Sequence, residues 1–279
     1  MTIQNEPTNG YAIPAFWNSL GFSATHMRDF VALDLAPEVL KSKHFKKTKL
    51  MMLDDIRLWL PNRPKTILAN KNANNVISGI GVHWYMNYLI GTKALDKTHE
   101  HFPDKFLLGT EACHEAKPSP PDSTDINTQW NRGEKYSNDI ISSLNHWQTG
   151  WIDWNMCLDL DGGPNWANNM CDSPIIVNSE ADEFYLQPMY FHMVHFSKLI
   201  VRDSVVLKCQ ISNNQKNSKI PWPFHSKKLK ILVVRRPDDN FVVTLLNVSD
   251  EEEYEVFIQE IGHKFIVPAK SIKSVLFSL

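Results

Sequence analysis

Through its first 200 residues the chain alternates short apolar, strand-like runs with amphipathic, helix-like ones, and beyond Ile200 that alternation stops. Strands separated by helices pair in parallel and need cover on both faces, so this order constrains the fold more than any single residue does. The pattern predicts a strand over 1–5 and a helix from Ser23, whose hydroxyl precedes the amphipathic run Arg28-Asp29-Phe30-Val31-Ala32-Leu33. A buried strand at Leu50-Met51-Met52-Leu53 is closed by Asp54-Asp55, and a helix over 65–75 leads to an apolar strand ending at His83. A helix over 86–98, a strand at 105–110 running into Glu111, a helix over 134–147 and a strand over 150–155 complete the series. Residues 156–187, with Gly162-Gly163-Pro164-Asn165-Trp166, read as a long rim loop. Gln187–Ile200 reads as a last helix with an aromatic face of Tyr190, Phe191 and Phe196.

These elements form five parallel strands of a (β/α)8 TIM barrel. Such a barrel needs more strands than that, so its first three are expected to precede Met1, and the segment is read as the fourth to eighth. Open parallel edges of this kind favour misfolding or pairing with another chain. After Ile200 the period becomes two, with strands at 203–208, 230–236, 240–247, 253–258 and 271–278, which predicts an antiparallel β-sandwich portion. The division is therefore 1–200, a partial barrel carrying the catalytic groups, and 201–279, a β domain. The stretch 210–228, with Pro221-Trp222-Pro223-Phe224 among lysines, reads as a solvated insertion or as a lipid or partner contact; Lys41–Lys49 reads as a solvated basic loop.

A hydrophobic content of 43% over 279 residues supports a sizeable core, and a formal charge of −2 provides no field that would select nucleic acid. The nine tryptophans suit core packing or sugar-stacking surfaces. Cys113, Cys157, Cys171 and Cys209 lack zinc-ligand spacing, and Cys113 and Cys157 fall on predicted strands, where a buried free thiol is expected. The N-terminal residues show no signal-peptide pattern, and no apolar run approaches the roughly 18 residues that span a bilayer. The expectation is a chain that, as written, is neither secreted nor membrane-spanning. One sequon, Asn247-Val248-Ser249, reads as a chance tripeptide unless a secretory signal lies upstream.

Two glutamates stand where a parallel barrel presents catalytic groups, at the ends of different strands: Glu6 in Asn5-Glu6-Pro7 and Glu111 in Thr110-Glu111-Ala112-Cys113. Two such carboxyls are what glycoside hydrolysis requires. Asp54, Asp55 and Arg57 also follow a strand and could face the site, although a salt-bridged rim that orients loops is the better reading. Glu180, Asp182 and Glu183 have no assigned role.

Together with His83-Trp84-Tyr85, Asp153-Trp154-Asn155 and Gly162-Gly163-Pro164-Asn165-Trp166, these motifs resemble, in their order, the lysosomal glucosylceramidases of glycoside hydrolase family 30. Leu20-Gly21-Phe22, Met52-Leu53-Asp54-Asp55 and Asp172–Val177 add to the likeness. The resemblance implies a retaining β-glucosidase that hydrolyses glucosylceramide to glucose and ceramide, with Glu6 as general acid/base and Glu111 as nucleophile. By the same likeness Glu6 is protonated, its pKa raised by neighbouring negative charge and partial burial, while Glu111 stays ionised. Asn5 reaches the sugar 2-hydroxyl, Trp154 stacks on the glucose ring, and Trp84 and Tyr85 shape the site. His83 holds Glu111 or Tyr85 in place, or is a core histidine; Asn169 lines the rim or caps its loop. The resemblance further implies no cofactor or metal, a saposin-type activator and an anionic membrane surface as partners, and the lysosome as compartment. Two other readings stand beside it: another family 30 β-glycosidase, and a non-catalytic fragment that binds a homologue or lipid activator.

Overall fold

The computed structural model describes residues 1–11, 17–114, 118, 126–209 and 228–279. It forms two compact units. The first comprises Met1–Glu115, His146–Met156 and Gly163–Met170; the second comprises Ala116–Asn145, Cys157–Gly162 and Cys171–Leu279.

In the first unit, helix α1 (Ala24–Phe30) is capped by the Ser23 hydroxyl, which accepts from the His26 amide. It continues through a π-helical turn, Val31–Leu35, into α2 (Ala36–Lys41). Strand β1 (Leu50–Ile56) is buried along its whole length, as expected of a strand covered on both faces. Two short helices follow, α3 (Asn62–Leu68) and α4 (Lys71–Val76), then β2 (Ile77–His83), α5 (Lys93–His101) and β3 (Phe106–Glu111). In sequence α6 (Ile126–Leu144) precedes β4 (Gln148–Trp151). The four strands form one parallel sheet in the order β1-β2-β3-β4. Met27, Val31, Met52, Ile67, Ile77, Ile80, Leu95 and Leu107 make its core.

The second unit holds α6 and a small sheet of β5 (Cys157–Asp159), β6 (Ile175–Asn178) and β7 (Glu183–Leu186). It also holds α7 (Pro188–Ser197) and the C-terminal strands. Those are β8 (Val205–Leu207), β9 (Leu229–Arg235), β10 (Phe241–Asn247), β11 (Tyr254–Ile258), β12 (His263–Val267) and β13 (Ser271–Phe277). β13-β10-β9-β8 form an antiparallel sheet and β11-β12 a hairpin. Ile258 and Val267 of the hairpin pack with Leu229, Val243 and Leu245 of the sheet. α6 meets α7 through a buried bond of 2.7 Å between the Ser137 hydroxyl and His192 Nδ1.

Several expectations need correction. Residues 1–5 make one parallel bridge, Thr2 to Met51, rather than a strand, so the described sheet has four strands and not five. β1 runs on through Asp54 and Asp55, and residues 156–187 hold three short strands where a rim loop is expected. The helix placed at 86–98 starts only at Lys93. Met86 adopts φ 65, and the chain turns tightly there, with Asn87 donating to the Trp84 carbonyl and Leu89 to that of Met86. The strand placed at 150–155 is Gln148–Trp151. α7 buries Met189, His192 and Phe196 while Phe191 stays exposed, so its inner face is only partly aromatic. Cys157 is exposed and lies in the small sheet; Cys113 is the buried free thiol expected. β12, whose first residues are polar and exposed, has no expected counterpart. Residues 210–227 of the basic, aromatic segment lie outside the described residues. Among the described residues no helix is long and apolar enough to cross a membrane.

The sequon asparagine is structural. Asn247 is fully buried, and its Nδ2 donates to the carbonyls of Glu252 (2.7 Å) and Pro268 (2.8 Å), while its Oδ1 accepts from the Ser249 amide at 3.0 Å. A glycan there is incompatible with this packing. Asn247→Ala strands several buried backbone groups at once and is predicted to cost about 2–4 kcal/mol, read by denaturant unfolding.

Candidate active site

Glu6 and Glu111 converge on one imidazole. His83, the last residue of β2, is 1% exposed; its Nδ1 lies 3.0 Å from Glu6 Oε1, its Nε2 3.3 Å from Asp54 Oδ1, and Nε2 3.8 Å from Glu111 Oε2. One carboxylate oxygen from each glutamate and one His83 nitrogen all lie within 4.8 Å of one another. β2 and β3 are neighbours in the sheet, with His83 opposite Glu111 in register, so a parallel strand pair delivers these two side chains to one place. Glu6 arrives by a different route. Its amide donates to the Asp54 carbonyl at 2.9 Å, its backbone sits at φ 40, and its Oε2 accepts from Asn9 Nδ2. A left-handed glutamate is uncommon and held only where surrounding bonds fix it.

Glu111 has a second partner. The Tyr85 hydroxyl donates to its Oε1 at 2.9 Å and lies 3.3 Å from Cys113 Sγ. Trp84 is tied to the same strand end: its amide donates to the Glu111 carbonyl and its indole Nε1 to the Cys113 carbonyl, both at 3.0 Å. Trp154 donates its amide to the Ala112 carbonyl at 2.8 Å, and its ring remains partly exposed.

Burial works against charge on His83, but the hydrogen bonds to Asp54 and Glu6 and the charge of Glu111 outweigh it and raise the imidazole to about 10. Burial likewise opposes charge on Asp54, yet the His83 hydrogen bond and charge hold that carboxyl below its ordinary value. Glu111 is pushed up, chiefly by burial; the His83 charge opposes that rise, the Glu6 carboxylate adds to it, and the Tyr85 hydrogen bond opposes it. Burial, then Cys113 and Glu111, push the Tyr85 phenol far above its usual value, so its proton stays available to Glu111. His83 is engaged by carboxylates at both nitrogens, Nδ1 by Glu6 and Nε2 by Asp54 and Glu111.

The structure thus brings Glu6, His83, Tyr85 and Glu111 together, with Trp84 and Trp154 anchored to the strand end that carries Glu111. It does not bond Asn5 or Asn169 to either glutamate: Asn5 is exposed, with its carbonyl accepting from Gln4, and the Asn169 amide bonds to Asn165 within its own loop. The expected role of His83 shifts, because its nearest carboxyls are Glu6 and Asp54, while its ring meets Tyr85 only edge-on at 6.0 Å. Asp54 and Asp55 are buried rather than on a rim, Asp54 against His83 and Asp55 against Thr8, and buried Arg57 donates to the Ile90 carbonyl. Gly81 makes room for this: a Cβ there would stand 2.9 Å from Asp54 Oδ1. Asn9 was not anticipated; its position three residues after Glu6 in a turn is the signal that marks it.

Because the His83 cation lowers Glu111, His83→Gln is predicted to raise the titration midpoint of the Glu111 carboxyl, measured by carbon NMR of the labelled side chain. The stability that His83 contributes, its folded pKa being raised, is present below about 6.5 and is lost as pH climbs through about 10. Wild-type protein therefore loses more stability across that window than the His83→Gln variant.

Comparison with known proteins places this geometry. Residues 1–200 match the glycosyl hydrolase family 30 TIM-barrel domain. The mouse lysosomal acid glucosylceramidase is 41% identical over 253 residues, which cover 90% of this chain and 46% of that protein. The crystal structure of SrfJ from Salmonella typhimurium superposes with a TM-score of 0.82 at 21% identity, covering 100% of this chain and 57% of SrfJ. The endo-beta1,6-glucanase BT3312 superposes with a TM-score of 0.79 at 22% identity, covering 100% and 58%. The chain spans about half the length of the curated glucosylceramidases it matches. With a family domain matched over 1–200, and with Glu6 and Glu111 both within reach of one histidine, the chain belongs to glycoside hydrolase family 30.

Proposed function

We propose that the chain carries the catalytic pair of a retaining β-glucosidase that hydrolyses glucosylceramide to glucose and ceramide. The observation that carries this reading is the spacing of Glu6 and Glu111, whose carboxylate oxygens approach within 4.8 Å. Retaining glycosidases hold their carboxyls about 5–5.5 Å apart, whereas inverting ones leave roughly 6.5–9.5 Å for a water molecule. Glu111 is then the nucleophile. It attacks the anomeric carbon while Glu6 gives its proton to the leaving ceramide oxygen, forming a glycosyl-enzyme ester on Glu111. Glu6, now a carboxylate, takes a proton from water as that water attacks the same carbon and releases glucose.

The Tyr85 hydroxyl directs one lone pair of Glu111 and leaves the other oxygen for attack, and the His83 cation favours the ionised nucleophile against the upward push of burial. Asn5 serves the 2-hydroxyl of the sugar, Trp154 its apolar face, Trp84 the wall beside the nucleophile, and Asn169 the rim toward the leaving group. Residues 1–200 act as the catalytic domain and 201–279 as a β-sandwich domain. Sphingolipid turnover in the lysosome, on an anionic membrane surface and with a saposin-type activator, is the setting proposed. The 41% identity to the mouse lysosomal enzyme supports that choice over other family 30 activities.

The test is covalent labelling with an epoxide mimic of β-glucose, followed by peptide mapping. An adduct on Glu111, absent from Glu111→Gln, is expected; an adduct on another carboxylate, or none, refutes the assignment. In the same preparation Glu111→Gln is predicted to lower aryl β-glucoside hydrolysis by on the order of a thousandfold or more. Aryl β-xyloside is expected to be the poorer substrate of the wild-type chain.

A further inference from the structure

The C-terminal end of β1 is irregular in a way that the chemistry of Glu6 and Glu111 does not by itself require. Against β2 the register runs Leu53 to Gly81 and then Asp55 to Val82, so Asp54 is the additional residue of a bulge. Leu53 and Asp54 both adopt left-handed backbone, φ 71 and φ 50, although neither is glycine. Two adjacent residues of this kind persist only where their surroundings over-determine them, and bulges beside active sites re-aim side chains.

The consequence is visible in where two consecutive carboxylates go. In a regular strand they would point to opposite faces. Here both are buried: the Asp55 carboxylate bonds to Thr8 in the Glu6 turn, and the Asp54 carboxylate to His83, which also meets Glu6. The Asp54 carbonyl accepts the Glu6 amide at 2.9 Å, and its Oδ1 lies 3.3 Å from the His83 nitrogen opposite the one that meets Glu6 at 3.0 Å. Asp55 Oδ2 accepts both the amide (3.1 Å) and the hydroxyl (2.7 Å) of Thr8, a fully buried residue two positions after Glu6. Its other oxygen accepts the Ile56 amide at 2.7 Å, so the carboxylate is fixed from its own strand as well.

We propose that the β1 bulge makes Asp54 and Asp55 positioning residues for Glu6: Asp55 fixes the backbone turn that carries it, and Asp54, acting through His83, fixes its carboxyl. This rests on the reading of Glu6 as the general acid/base. Neither aspartate touches the reacting atoms. Their effect falls on the step in which Glu6 protonates the leaving group, because that step depends most sharply on where the Glu6 carboxyl stands.

The test uses the full chain with Asp54→Asn, Asp55→Asn and the milder Thr8→Val, which removes the hydroxyl bond to Asp55 but keeps the amide bond. Two aryl β-glucosides are compared, phenyl, whose departure needs a proton, and 2,4-dinitrophenyl, whose departure does not. The expected loss of kcat is about tenfold or more greater for the phenyl than for the dinitrophenyl glucoside in each aspartate variant, with little change in KM. An equal loss for both substrates, as a general weakening of the fold would give, overturns the proposal. A second readout needs no turnover. Nitrogen NMR of His83 should show Asp54→Asn releasing the imidazole proton at least about one pH unit lower, a tenfold change in proton affinity. Amide exchange at Thr8 should quicken in Asp55→Asn and in Thr8→Val. Unmoved His83 and Thr8 signals in folded variants overturn the proposal as well. Failure of the wild type to hydrolyse either glucoside or to accept the epoxide label would instead sink the glycosidase reading, and the NMR arm would still decide whether the bulge holds Glu6.

Discussion

The site depends on one buried cation. His83, almost without exposed surface, stands within 3.0–3.8 Å of the carboxyls of Glu6, Asp54 and Glu111. Carboxyl groups this close repel one another as they ionise, and burial penalises charge on Asp54 and Glu111 further. An imidazolium at their centre relieves both costs, and for that reason its own proton is held up to a pKa of about 10. The same charge lowers Asp54 and restrains the rise of Glu111. Without the cation, Glu111 loses the charge that opposes its upward shift, and Asp54 loses the partner that holds it down.

The sheet supplies the geometry on which that electrostatic arrangement rests. Parallel strands end on the same side, so the last residue of β2 and the last residue of β3 face one another without any loop having to place them. Trp84 and Tyr85 follow His83 directly and return to bond the backbone and side chain at Glu111. Glu6 lacks a regular strand of its own among the described residues, where residues 1–5 give a single bridge to β1. Its position is made up by bonds to Asp54, Thr8 by Asp55, and the Asn9 amide. Glu6 is therefore tied to the β1 bulge, and Glu111 is carried by a strand.

Much of this was legible in the amino-acid order. The apolar runs of β1 and β2 are buried almost throughout, and His83 and Glu111 fall at the ends of β2 and β3, where period and chemistry agree. The period-two strands after Ile200 are legible for the same reason, except β12, whose exposed His263 and Lys264 hide its alternation. What was not legible depends on left-handed backbone that no composition announces. Met86 turns the chain where a helix is expected, and left-handed Leu53 and Asp54 accompany the bulge that sets Asp54 against His83. Likewise, the chance-looking Asn247 sequon proves to be a buried amide tying three chain segments together, a role set by contacts distant in sequence.

The central proposal is that Glu6 and Glu111, with a carboxylate oxygen of each within 4.8 Å of the other, act as a retaining pair through which the sugar passes as a covalent ester. The most direct measurement is proton NMR of the glucose first released from an aryl β-glucoside, recorded before the anomers equilibrate. The account predicts the β-anomer. Release of the α-anomer would mean single displacement by water, and would contradict the pairing of the two glutamates described here.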